Sequence, residues 1–240
     1  FPSKDEQALY DLVSDYLARP KLYALPNSQR QLMTLILRKL LASSTYAIHD
    51  TFCPLIARLE AKLQRQESTS LEEVYMDFDG SDDDWIDDEE VEEDEQEVLH
   101  PSDIEGIKNE IKELYAFRDL AAKIKKNSKA EQLFTALDKG FEQLDSLGAQ
   151  KKALIFTESR RTQEFLYELL EKRGYKGKIV RFNGTNTDRQ STEIYKAWME
   201  KHKGSHKITG SPTADRRAAI VDYLREEGTS MIATEAAAEG

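Results

Sequence analysis

Apolar residues recur at helical spacing over residues 3–66 and 102–146, and shorter apolar runs separated by helical stripes follow them. Leu9, Leu12, Val13, Tyr16 and Leu17 form one stripe, which predicts a helix from Ser3 to about Ala18. Ser3-Lys4-Asp5-Glu6 has the form of a capping box at its start, and Pro20 closes it. A wider stripe, Leu32, Leu35, Ile36, Leu40 and Leu41, predicts a bundle-buried helix from Asn27 or Ser28 to about Ile48. A third helix is expected from about Pro54 to Gln66, with Leu55, Ile56, Leu59 and Leu63. Ser102 to Glu105 and Ser128 to Glu131 read as two more capping boxes, opening helices to about Ile124 and about Ser146.

After Gly148 the pattern changes. Ala153-Leu154-Ile155-Phe156 is a continuous apolar run that ends in Thr157-Glu158-Ser159-Arg160, as a strand buried on both faces would. A helical stripe from Arg161 to Arg173 follows, stopped by Gly174. Lys178–Phe182 is a second strand, followed by Asn183-Gly184-Thr185-Asn186 and a helix capped by Asp188 or Thr187 that runs to about Lys201. Ser211, with Pro212 at the first helical position, opens a helix to Glu226, and Ser230–Ala233 is a third strand ending in Thr234-Glu235. Strands alternating with helices predict a parallel α/β sheet. The fold class expected is therefore α/β, a parallel sheet with flanking helices, preceded by an all-α region.

Charge changes this picture in one place. The chain has 240 residues and a net charge of −11, but 16 acidic residues and no lysine or arginine fall between Glu72 and Glu97. Outside that tract 29 acidic residues face 34 basic ones, so the remainder is mildly basic. The tract repels itself and has too few apolar residues to fold alone. It reads either as a disordered loop or as a nucleic-acid mimic anchored by Phe78 or Trp85. The expected organisation is a helical segment over 1–66, a flexible acidic insert over 67–100, a helical segment over 101–150 and an α/β lobe over 151–240.

Cys53 is the only cysteine, which excludes an internal disulfide or a cysteine-based metal site and fits a reducing cytoplasm. No apolar run approaches 18 residues, so no membrane partner is expected. The chain begins Phe1-Pro2 without an initiator methionine and reads as part of something longer. Gln29, Arg30, Arg38 and Lys39 form a polar helix side that is a solvated face or a nucleic-acid contact.

Three strand ends carry small polar clusters: Thr157 to Arg160, Asn183-Gly184-Thr185, and Thr234-Glu235. Parallel strands end on one edge, so the clusters should converge there. Hydroxyls, a glycine turn, backbone N–H groups and a guanidinium suit phosphate. Each cluster alone also reads as an ordinary strand-to-helix turn. No G-x-x-x-x-G-K-[ST], G-x-G-x-x-G or nucleophile-elbow spacing occurs. His202 and His206 stand four apart, but Gly204 lies between them and no third metal ligand is evident. His49 and His100 read as capping or surface residues.

ALIFTESRRTQEFL (153–166), RFNGTN (181–186), SPTADRRAAIVDY (211–223) and MIATEAAAEG (231–240) together resemble the second RecA-like lobe of superfamily-two helicases, in the bacterial Swi/Snf-related, RapA-like group. ALIFTESR resembles motif IV, RFNGTN the strand and turn of motif IVa, and MIATEAAAEG the start of motif V. The stretch QRQLMTLILRKLLASSTYAI (29–48) is similar to the segment that joins the two lobes in this group.

The resemblance implies an ATP-driven motor on nucleic acid, DNA before RNA. Thr157, Ser159 and Arg160 would touch one strand's phosphates, and Asn183, Gly184 and Thr185 would add contacts, those of Gly184 and Thr185 through the backbone. Thr234 and Glu235 would couple nucleic acid to the nucleotide cleft, with Glu239 and Gly240 closing the matched part of motif V. ATP and Mg²⁺ would belong to the intact motor, held largely by a first RecA-like lobe that this sequence does not contain. The motif VI arginines are also absent from it. No catalytic residue is therefore expected here, no cofactor is expected to bind the chain alone, and no ATPase is expected from it. Two rival readings stand beside this one: a protein-interaction module regulated by the acidic tract, and an α/β domain for a small molecule or nucleotide.

Overall fold

The computed structural model describes residues 2–26, 30–64, 100–124 and 127–234. The acidic insert lies outside them, apart from His100 at its end, as do Gln29, Glu235, Glu239 and Gly240. The chain forms two compact units that divide between Glu131 and Gln132.

The first unit is helical: α1 (Lys4–Leu17), α2 (Arg30–Ser43), α3 (Thr45–Gln64), α4 (Pro101–Lys123) and the first turn of α5 (Ser128–Ser146). Helix α4 joins the helices before residue 67 rather than forming a separate segment with α5. The reason is a shared core, in which Leu9, Val13, Ile36, Phe52, Leu55 and Leu114 are all buried. Phe117 of α4 meets the rings of Tyr16 and Phe52 at centroid distances of 5.7 and 5.9 Å. Leu12 and Leu35, expected on buried stripes, point to solvent, and Met33 and Leu37 take the core positions in α2.

Helix starts depart from the pattern for local reasons. The Ser3–Glu6 box forms, with Glu6 N–H donating to Ser3 Oγ and Ser3 N–H to Glu6 Oε2 at 2.7 Å. The other two boxes do not. Pro101 begins α4 with His100 at the cap position, which carries Ser102 inside the first turn where it has no capping role. In α5 the cap is Asn127, whose Oδ1 accepts from Ala130 N–H at 2.9 Å. Ser128 instead donates its N–H to Glu6 at 2.8 Å. Burial pushes the Glu6 carboxyl up, but the bonds from Ser128 and Ser3 outweigh it and hold the group below its ordinary value.

The helix expected to run on to Ile48 breaks at Ser44, whose Oγ accepts from Ala47 N–H at 3.0 Å and opens α3. Pro54, read as a helix start, lies inside α3. An interior proline costs about 3 kcal/mol or more. The buried side chains on both sides of it, Phe52, Leu55 and Ile56, offset that cost.

The second unit holds the rest of α5 and the sheet: β1 (Ala153–Thr157), α6 (Arg160–Leu170), β2 (Ile179–Phe182), α7 (Arg189–Lys201), α8 (Pro212–Glu226) and β3 (Ser230–Thr234). Helix α6 ends in a wider turn, Glu171–Tyr175, in which Gly174 takes φ +96°, a conformation that glycine adopts without strain. The strands pair in parallel in the order β1-β3-β2. Helices flank a small parallel sheet, as expected. Among the described residues the sheet has three strands.

One expectation fails on β1. Ile155 and Thr157 are buried, but Leu154 and Phe156 are 59% and 62% exposed. They share a sheet face with Val180, Phe182, Met231 and Ala233, which α8 covers with Ile220. That cover stops short of β1, which pairs with β3 alone among the described strands. A continuous apolar run therefore does not mean burial on both faces here.

Candidate functional site

Strand register sets the geometry. Thr157 stands opposite Thr234 across β1 and β3, and Phe182 stands opposite Ala233 across β2 and β3. The residue after Phe182, Asn183, therefore lies level with Thr234. The three polar clusters found in the sequence come to one rim at the carboxyl ends of the strands, where ligands gather in open parallel sheets.

Many of the rim's polar groups serve the rim itself. Thr157 Oγ1 donates to Ser159 O at 2.8 Å and accepts from Ser159 N–H at 3.1 Å. Ser159 Oγ accepts from Thr162 N–H at 3.1 Å, capping α6, and donates to Thr162 Oγ1 at 2.9 Å. Both side chains are buried. They shape the β1–α6 turn rather than present hydroxyls outward. Thr234 is buried too. Arg160, the first residue of α6, is half-buried at the head of that helix, where backbone N–H groups and the helix dipole favour an anion.

The Asn183–Asn186 turn is similarly self-bonded. Asn183 Oδ1 accepts from Asn186 N–H at 2.8 Å and from Thr185 N–H at 3.2 Å. Asn186 Oδ1 accepts from Asn183 N–H at 2.9 Å, and Asn186 adopts φ +50°. Asparagine is among the few residues that tolerate this region. The Thr185 amide, expected to face a ligand, is thus committed to the turn. The Thr185 side chain stays exposed, with its hydroxyl 3.3 Å from Asn183 Oδ1.

Three residues that the sequence reading passed over hold this rim in place. Gln163, 2% exposed, donates from Nε2 to Phe182 O and Ile232 O at 3.1 and 2.7 Å, and its Oε1 accepts from Asn183 Nδ2 at 3.1 Å. Arg216 of α8 donates to Asn186 O at 3.3 Å and lies over the Tyr195 ring at 4.8 Å. Arg181 pairs with Asp188 at 2.9 Å and with Glu164, and sits 4.2 Å from the Tyr167 ring centroid. Asp188 also caps α7. Burial, followed by the bond to Glu171, pushes the Tyr167 phenol up to about 12. The sequence signal for these contacts is weak, because a glutamine or arginine among polar neighbours, on a helix as Gln163 and Arg216 or on a strand as Arg181, reads as solvated surface.

The loop before α8 is fixed by buried Asp215. Its Oδ1 accepts from Thr209 N–H at 2.9 Å and the Thr209 hydroxyl at 2.8 Å, and its Oδ2 from Gly210 N–H at 3.2 Å. The Thr209 N–H above all holds this carboxyl below the usual aspartate value of 3.8, against the opposing effect of burial. A depressed folded pKa gives stability that is present above the unfolded value and lost as pH falls through the folded one. Asp215→Asn should therefore flatten the acid limb of the stability profile below about pH 4. Urea midpoints measured at successive pH values check this, and an unchanged acid limb contradicts it.

A cavity of about 470 Å³ lies at the opposite edge, where Lys151, Lys178 and Thr229 precede the strands, facing Phe141, Glu142 and Tyr175. It is remote from the rim, and the rim is the better candidate because its chemistry converges from three strands. His202 packs against Trp198 with ring centroids 4.9 Å apart. Among the described residues no three His, Cys, Asp or Glu side chains form a metal-binding group, and no helix is long and apolar enough to cross a membrane. Comparison of the chain with protein families, with curated proteins and with solved structures finds no match.

Proposed function

We propose that the second unit is the nucleic-acid-tracking lobe of an ATP-dependent helicase or translocase of the superfamily-two, Swi/Snf-related kind, and that its sheet is a partial RecA-like one. The observation that carries the reading is the flush register of Thr157, Thr234 and the Asn183 turn, which brings three separated motifs onto one rim. In this reading Thr157, Ser159 and Asn183 build the turns. Arg160, the head of α6 and the outward Thr185 hydroxyl meet a sugar–phosphate strand, DNA before RNA. Thr234, buried on the central strand beside the turn, links that contact to the nucleotide cleft.

ATP and Mg²⁺ do not fit the residues present. The rim offers hydroxyls, amides and a guanidinium, and the sequence has no phosphate-binding loop of the G-x-x-x-x-G-K-[ST] type. Those groups would come with the first RecA-like lobe, so the chain alone has no ATPase in this reading.

Fluorescence anisotropy with a labelled single-stranded DNA oligonucleotide tests the assignment. The 240-residue chain should bind with Kd of order 10⁻⁴–10⁻⁶ M at physiological salt, weakening log-linearly as salt rises. Arg160→Ala should weaken binding about tenfold and reduce the salt slope by about 0.7. No binding at low salt, or no effect of Arg160→Ala, would overturn the interface. Nucleic-acid-stimulated ATP hydrolysis by the purified chain would overturn the division of labour.

A further inference from the structure

We propose that Gln163 is a positioning residue whose side-chain amide sets the Asn183–Asn186 turn against the central strand, so that the turn meets a phosphate only while this link is intact. The inference rests on the nucleic-acid reading of the rim and adds to it a residue with no access to the ligand.

The geometry is specific. Gln163 is buried under the rim on α6. Its two N–H donors go to Phe182 O, on the last paired residue of β2, and to Ile232 O on β3. Its carbonyl accepts from the Asn183 side chain. One amide thus joins three things: the end of β2, the middle of β3 and the first residue of the turn. From there the path reaches the surface in one step, because Asn183 Oδ1 accepts from both the N–H and the hydroxyl of exposed Thr185.

A glutamine amide offers two donors and one carbonyl acceptor, so this side chain has both donors filled and its acceptor engaged. Such a group resists rotation, since any other orientation leaves buried carbonyls without donors. An apolar residue of similar size in its place would fill the space but release Asn183. The Asn183 side chain could then turn away, and the Thr185 hydroxyl would lose its fixed direction. Thr234 ends the same strand two residues beyond Ile232, so the link also ties the turn's position to the strand that carries Thr234.

The test uses the 240-residue chain, the same single-stranded DNA probe, and a temperature well below the melting transition of every variant. Gln163→Leu and Gln163→Met should each weaken binding about five- to tenfold, the loss expected when one hydrogen-bonded contact is misplaced. Asn183→Ala should weaken it by a similar factor. In the Asn183→Ala background Gln163→Leu should have no further effect, because the path from Gln163 runs through Asn183. Ile220→Val, a core change on the other sheet face, should lower the melting temperature and leave affinity unchanged.

Wild-type affinity in both Gln163 variants would overturn the proposal. Additive losses in the double variant would overturn it too, since a clamp acting only on overall stability gives no such dependence. If Gln163→Leu fails to fold, Gln163→Met and Asn183→Ala carry the same comparison. A wild-type chain that does not bind the probe removes the rim reading itself, an outcome distinct from binding that is indifferent to Gln163.

Discussion

Glu110→Ala should destabilise the helical unit by about 3–5 kcal/mol, read as a shift in the urea midpoint followed by far-ultraviolet circular dichroism. Glu110 lies in the middle of α4 and is only 5% exposed. Its Oε1 accepts from the Tyr16 hydroxyl at 2.8 Å and from Ala24 N–H at 2.9 Å, and its Oε2 accepts from Tyr23 N–H at 2.8 Å. These donors come from α1 and from the segment that follows it, so one carboxylate fastens two parts of the chain to α4.

Alanine would leave the three donors without a partner, and each such buried group costs about 1–3 kcal/mol. Glu110→Gln keeps the volume and one carbonyl oxygen, and should cost clearly less than alanine. Burial above all, with the Glu110 charge next, pushes the Tyr16 phenol well above its ordinary value, so Tyr16 remains a donor to Glu110 into alkaline solution. Tyr23 also packs over Gly106 one turn earlier in α4, where an added Cβ would come within 2.6 Å of its ring. A loss of stability below about 1 kcal/mol in Glu110→Ala would show that water replaces the carboxylate there.

The second large effect is expected in the sheet. Ile232→Ala should cost about 4 kcal/mol, measured by calorimetric or urea unfolding of the same chain. Ile232 is fully buried on the central strand, in register with Ile155 on one side and Arg181 on the other. That face is covered by α6, whose Leu166 and Leu170 are buried. With strands on both sides and a helix above, the site has little room to collapse, so most of the cavity term should persist. Phe156→Ser on β1, at an exposed position, should stay within about 0.5 kcal/mol of the parent. Equal costs at the two positions would mean that the open face of β1 is covered in solution.

Most secondary structure was legible because it rests on local periodicity and local caps. Most of the α1 stripe, the Ser3–Glu6 box and the Gly174 stop appear where the pattern put them, and of the two caps open for α7 the structure uses Asp188. Where the reading slipped, a competing local group won. Pro101 displaced Ser102 at the start of α4, and Asn127 displaced Ser128 at the start of α5. At Pro54 the core overrode a breaker.

The candidate rim was legible only in outline. That Thr157, Asn183 and Thr234 follow strands could be read directly, and parallel pairing then implied a shared edge. Which of them face outward could not. Thr157 and Ser159 carry the hydroxyls that suggested phosphate contacts, yet both are spent on the turn. The signal of Gln163 is weak, since its three partners lie 19, 20 and 69 residues away.

By itself the sequence determined most of the helices though not all their ends, the three strands, their parallel sense and the polar character of their ends, because each depends on near neighbours or on a simple rule of chain connection. Tertiary structure alone decided that α4 belongs with α1–α3, that β1 exposes Leu154 and Phe156, and which polar side chains turn inward. Those outcomes depend on what packs against each position from far along the chain. A side chain's surroundings are a property of the whole fold, and no local pattern encodes them.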